Sequence, residues 1–324
     1  VFYGVVKITV RPFAWYDLPS LLRHRGGLIC LNKNCFLTHG SPIGFSAIPS
    51  RLKPGNESYT AVVETTDSGA ALIGQVTHRT DDRAARLNYV VYKDTVEPKA
   101  IAELWDELCS KAGEMGAVNV LAQVEEDEEV FESLRRAGFI AYGWESAWKL
   151  PKKVKNNSES CWTIAGATDV PPVRALYQAL VPPIVQTAEA FANGDTRRLV
   201  YRENGEIVAY VESSGGPEGL YLKPLIHPSI KDVSLLLNDL IGQFNDLGQP
   251  VYLQVRSYQA WLLDALEAIG GEDGSHFTLL VKYLAIMQRN GVTITNRKLV
   301  ENRHAEPTTP IVNNMTAGDP HAQP

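Results

Sequence analysis

The sequence contains no apolar run approaching the ~20 residues that a membrane-crossing helix needs, no CxxC pair among its four cysteines, and no histidine cluster beside them. Its longest apolar stretches are strand-sized, so the chain reads as a soluble protein with no membrane partner. Cys30, Cys35, Cys109 and Cys161 read as free thiols of a reducing cytoplasm and not as zinc ligands. A basic excess is also missing: 31 Lys plus Arg stand against 37 Asp plus Glu, for a formal net charge of -6. That balance supplies no field for a polyphosphate backbone, which argues against nucleic acid as the main partner. The opening VFYGVVKITV lacks a basic start, a long apolar core and a small-residue cleavage site, and reads as a first strand and not a signal peptide. What remains is ordinary globular material, 44% hydrophobic over 324 residues. At ~100–200 residues per domain this allows two domains or one large one.

The pattern along the chain favours duplication. In KITVRPFAWYDLPSLLRHR, alternating apolar residues give way at Asp17 and Pro19 to helical spacing, with Asp17 suited to an N-cap and Pro19 to the first turn. TAVVETT, AALIGQVTHR and ARLNYVVYKD follow as a strand meander. Pro98 introduces a helix in which Ile101, Leu104, Trp105 and Leu108 recur at helical spacing and Gly116 marks the end. The strand VNVLAQV, the short helix VFESLRRAGF and the strand IAYGWESAWKL complete a unit by Leu150. After the polar linker 151–160 the order returns. Asp169-Val-Pro171 stands where Asp17-Leu-Pro19 stood, and Asn204-Gly205 marks a two-residue hairpin turn. The helix SLLLNDLIGQFNDLG precedes VYLQV, WLLDALEAIGG matches VFESLRRAGF, and HFTLLVKYLAIM closes the second unit. The reading is a domain of residues 1–150, a second of 161–289, and a disordered tail of 290–324 rich in Asn, Thr and Pro.

This order, together with the "GA, NVLAQV, short helix, RRAGF" run and the GEIVAYV hairpin, resembles the GNAT superfamily of acyl-CoA-dependent N-acyltransferases. The resemblance implies an α/β (α+β) fold of two GNAT-like domains, each a mixed, mostly antiparallel sheet flanked by helices. It also implies acetyl-CoA or another acyl-CoA as co-substrate, a small amine as acceptor, and a monomer or homodimer. In such a fold the third meander strand splays from the next strand, and the pantetheine arm pairs with exposed backbone in the V-shaped gap. Val91 and Tyr92 would line the first gap, and Leu225, Ile226 and His227 the second. The pyrophosphate would meet a helix N-terminus, at Lys99, Ala100 and Ile101 in the first unit and at Lys231, Asp232 and Val233 in the second. The phosphate-binding glycines are missing from both, and Glu97 and Asp232 place negative charge there. Leu134 and Leu266 stand where many family members carry a tyrosine that protonates the leaving thiolate.

The catalytic candidates that the resemblance implies lie in the second unit: His227 as base at the end of the splayed strand, Glu212 as base through a water, and Tyr221. Each has a plainer reading, as a strand-end histidine, a solvated hairpin carboxylate and a packed aromatic. Tyr89, Tyr92 and Glu145 are candidate lining residues of a first cleft. The acidic run Glu125 to Glu129 reads as a solvated helix start, and Trp105, Trp144, Trp148 and Trp261 as packing. The segment Gly26 to Pro54 is long and apolar for a loop. It reads as one or two short helices forming a lid or an inter-domain interface, with His39 and Ser41 as acceptor contacts. Two functions remain open: acyl transfer to a small amine, or a catalytically inactive tandem that serves as a ligand-binding or scaffold protein.

Overall fold

The computed structural model describes residues 8–42, 55–65, 69–92, 97–125, 129–152, 160–189, 191, 197–244 and 248–284, all within one compact unit, 1–286. The tail 290–324, the center of the linker and much of the segment expected to form a lid lie outside them. No helix among the described residues is long and apolar enough to cross a membrane.

The first half contributes β1 (Ile8–Pro12), α1 (Leu18–Arg23), β2 (Leu28–Cys30), α2 (Lys33–His39), β3 (Asn56–Thr65), β4 (Gly69–Arg79), β5 (Ala84–Tyr92), α3 (Pro98–Glu114), β6 (Asn119–Val124), α4 (Glu129–Arg136) and β7 (Ile140–Lys149). The second contributes β8 (Thr163–Ile164), α5 (Val170–Leu180), α6 (Pro183–Ala188), β9 (Arg197–Glu203), β10 (Glu206–Gly215), β11 (Leu220–Ile226), α7 (Val233–Gly242), β12 (Val251–Arg256), α8 (Leu263–Ala268) and β13 (His276–Tyr283). The repeated Asp-x-Pro works differently from an N-cap. Asp17 accepts from the Ala14 amide at 2.7 Å and Asp169 from the Gly166 amide at 2.8 Å, so each closes a 3-10 turn behind it instead of reaching forward into the helix. An arginine from a strand holds each carboxylate, Arg11 in the first half and Arg202 in the second. Asn204 and Gly205 both adopt positive φ, at 50° and 87°, which lets the β9–β10 hairpin turn in two residues.

All the strands join one sheet, in the order β1-β3-β4-β5-β6-β13-β7-β12-β11-β10-β9-β8, with β2 added beside β5. Among the described residues only β5–β6 and β11–β12 pair in parallel. The final strand of each half lies in the sheet of the other: β13 pairs with β6, β7 pairs with β12, and β7 and β13 pair with each other at the center. Four helices cover one face. Leu104, Trp105 and Leu108 of α3 pack with Leu87, Val120 and Leu280, while Leu236, Leu237 and Leu240 of α7 pack with Val211, Leu222 and Trp148. Thr278 opposes Trp144 across β13 and β7. Leu280 and Trp148 therefore share that face by the two-residue period of strands, so α3 and α7 lie on the same side. Each large side chain buried there contributes about 1.5–3 kcal/mol. The other face carries α5 and α6, whose Val173, Leu176 and Val185 meet Tyr142, Tyr210, Leu225 and Leu279. Trp105 and Trp148 are buried as expected, but Trp144 and Trp261 are 54% and 38% exposed and do not serve as core.

Candidate functional site

In the first half, β5 and β6 pair only from Ala84 to Arg86 and then diverge, as a V-shaped gap requires. The gap is filled by the chain itself. β2 runs antiparallel to β5, with Leu28 opposite Val91, Ile29 opposite Val90 and Cys30 opposite Tyr89. Leu31 then bridges the two splayed strands: its N–H donates to the Asn88 carbonyl at 2.8 Å and its carbonyl accepts from the Gln123 N–H at 3.0 Å. Asn32 caps α2 through the Cys35 amide and donates to Asn88 Oδ1, and Gln123 Oε1 accepts from the Lys33 amide at 2.7 Å. Val91 is therefore not a cofactor contact, because its backbone faces Leu28 and its side chain packs with Leu21, Val62 and Ile73. Tyr92 pairs with Leu72 at the end of β5. Tyr89 is buried in the same apolar cluster as Val91.

The helix start that would hold a pyrophosphate is also partly occupied in the first half. Pro98 has no N–H, and the Ala100 and Ile101 amides both donate to the Glu97 carbonyl, at 2.9 and 3.3 Å. Ala100 is buried and Lys99 is exposed. Leu134 and Leu266 are fully buried.

In the second half, β11 and β12 pair from Leu220 to Leu222 and then part. Leu220 N–H donates to Pro250 on the β12 side and His227 N–H to Val208 on the β10 side. By strand alternation Pro224 faces the gap, where it has no N–H to offer, and its carbonyl accepts from the buried Gln259 Nε2 at 2.9 Å. Leu225 and Ile226 are buried on opposite faces, in contact with α5/α6 and with α7. His227 Nδ1 accepts from the Ser229 amide at 3.2 Å and lies 2.6 Å from Ser229 Oγ. Asp232 folds its carboxylate onto the start of α7, accepting from the Leu235 amide at 2.9 Å. It takes the place of an external anion instead of binding one. Lys231 is exposed and Val233 half-buried. Glu212 lies between Arg198 on β9 and Lys223 on β11. Tyr221 lies where β11 and β12 are still paired, before the gap opens, and burial pushes its hydroxyl well above the usual range. His39, at the end of α2, contacts Thr38 Oγ1, and Ser41 is exposed. As folded, the residues of neither half fit an acyl-CoA.

The densest polar chemistry lies at the center, where the halves meet. Gln123 of β6 and Gln254 of β12 hold matching places in VLAQV and VYLQV, and both donate to the carboxylate of Glu145. Arg256 Nε forms an ion pair with the same carboxylate at 3.0 Å, and Arg256 Nη2 donates to both oxygens of Glu189, at 2.9 and 3.0 Å. The Tyr142 hydroxyl also donates to Glu189. Burial pushes the Glu145 carboxyl up, against the pull of Arg256. Burial acts on Glu189 in the same sense, but Arg256, Tyr142 and Lys223 outweigh it and hold that carboxyl at about 2. The acid pair is thus saturated by the chain's own guanidinium, and it provides no free base for an ammonium substrate. Glu145, expected to line a first cleft, is instead buried in this network, and the glutamines hold matching places in the two copies, whereas Arg256 and Glu189 carry no local signal.

No protein-family model matches the chain, and no curated protein does. Solved structures do. A GCN5-related N-acetyltransferase from Sphaerobacter thermophilus aligns with 85% of this chain and 95% of its own, at 14% identity and a TM-score of 0.52. An acetyltransferase described as putative from Pyrococcus horikoshii aligns over 88% and 92%, at 10% identity and a TM-score of 0.49. A tandem GNAT protein from the clavulanic acid biosynthesis pathway aligns over 86% and 98%, at 13% identity and a TM-score of 0.48. With the Sphaerobacter alignment running through both halves, the chain has the GNAT acyltransferase fold in tandem.

Proposed function

We propose that this chain is a non-catalytic tandem of the acyltransferase fold, built from copies at residues 1–150 and 161–289, that acts as a ligand-binding protein. One observation carries the reading: the chain spans both of its own gaps, with Leu31 in the first and Gln259 in the second. In the first gap the splayed backbone is paired by β2 and Leu31, in the second the Pro224 carbonyl is taken by Gln259, and Glu97 and Asp232 accept amides at the helix starts that would meet pyrophosphate. Calorimetric titration with acetyl-CoA and with longer acyl-CoAs is expected to give no binding heat. Saturable heat at micromolar concentrations would overturn the proposal.

A second reading, acyl transfer to a small amine by the C-terminal copy in a cytoplasmic monomer or homodimer, is favored by one feature. A single side chain, that of Gln259, closes the second gap, against a whole strand in the first. On that reading Gln259→Ala frees the Pro224 carbonyl and raises acetyl-CoA affinity at least ten-fold. On the non-catalytic reading the variant stays as silent as the parent.

A further inference from the structure

Arg256 satisfies only part of its donor set. Nε and Nη2 are engaged by Glu145 and Glu189, but Nη1 is buried with no hydrogen-bond partner, in a side chain only 7% exposed. An unpaired buried N–H is costly, and proteins rarely keep one without a use. Arg256 also lines a small recess between the start of α6 and the central strands, with a volume of about 80 Å³ and one side open to solvent. Its other walls are apolar or aromatic: Ile184, Val185, Tyr258 and Leu279. Ile184 is 50% exposed, so it forms a rim instead of completing the core. A pocket of apolar walls with one convergent donor is the usual form of a small-molecule site.

The charge around the recess selects the ligand. Arg256 is already compensated by two carboxylates, so an added anion meets their repulsion, and a cationic amine meets the guanidinium. We propose that the recess beside Arg256 binds a small uncharged carbonyl compound, an amide or ester with an apolar body about the size of one ring, whose oxygen accepts from Arg256 Nη1. This deepens the ligand-binding reading and rests on it.

Saturation-transfer NMR on the whole chain with N-benzylacetamide, phenylacetate and benzylamine tests the site, with titration of the transfer signal giving the binding curve. N-benzylacetamide is expected to bind at least ten-fold more tightly than either charged analogue. Ile184→Trp, which fills the recess from its exposed rim, is expected to weaken it at least ten-fold with an unchanged far-ultraviolet spectrum. Ile184→Ala, which removes the rim, is expected to weaken it too. No saturation transfer, equal binding of all three probes, or binding indifferent to both substitutions would overturn the proposal. Heat from acetyl-CoA would overturn the non-catalytic reading and leave this site standing, while silence from N-benzylacetamide would do the reverse.

Discussion

Glu145 and Glu189 show how one guanidinium gives two carboxylates opposite acid-base behavior. Glu189 is held at about 2, against 4.5 for an ordinary glutamate, so its folded-state pKa is depressed. The stability it contributes is present above pH ~4.5 and is lost as pH falls through that value toward ~2, because the unfolded chain takes up a proton that the folded one refuses. A shift of that size corresponds to roughly 3 kcal/mol. Glu145 runs the other way: burial raises its carboxyl, so its ionization subtracts stability as pH rises through the carboxylate range. Glu189→Gln is therefore expected to lower the urea midpoint strongly at pH 6 and little at pH 2.5, as followed by circular dichroism. A deficit that did not change with pH would contradict this assignment. In the sequence Gln123 and Gln254 could be matched because VLAQV and VYLQV align, but nothing near Glu189 shows that Arg256, 67 residues away, will meet it.

At the scale of elements, β2 decides what the first half can do. Its three residues, Leu28–Cys30, are too few for alternation to register, and Gly26-Gly27 before them reads as loop. It becomes a strand because the splayed edge of β5 presents unpaired backbone groups, and a short apolar segment is near enough to satisfy them. α2 then carries the same segment across to the second half. Glu218 N–H donates to the Thr38 carbonyl at 2.9 Å, and Gly216 is required there because a Cβ would lie 2.2 Å from that oxygen. Ile29→Pro removes a ladder N–H and is expected to release β2. Hydrogen exchange checks it: protection of the amides from Asn88 to Val91 should fall at least ten-fold while β9 and β10 stay protected. Unchanged protection would mean that β2 does not hold the gap shut. The lid reading of Gly26 to Pro54 anticipated a short helix and an interface here, but not a strand inside the gap.

For the whole molecule, the exchange of last strands makes the halves inseparable. β6 would have a bare edge without β13, and β12 without β7, and bare edges of this kind are liabilities that proteins cover. A protease site placed in the linker at 153–159 and cut in the native protein is expected to leave a single species of unchanged elution volume, with the fragments parting only in denaturant. Separation in buffer would refute the exchange. The order of strands and helices, the Asn204-Gly205 turn and the duplication were legible in the sequence, because each depends on residues a few positions apart or on direct comparison of the two copies. The partner of each last strand, the strand that closes the first gap and the charge network around Arg256 were decided only by tertiary structure. Backbone edges are chemically alike whichever strand they receive, and a buried ion pair leaves no periodic trace. What selects among such partners is the packing of the folded whole.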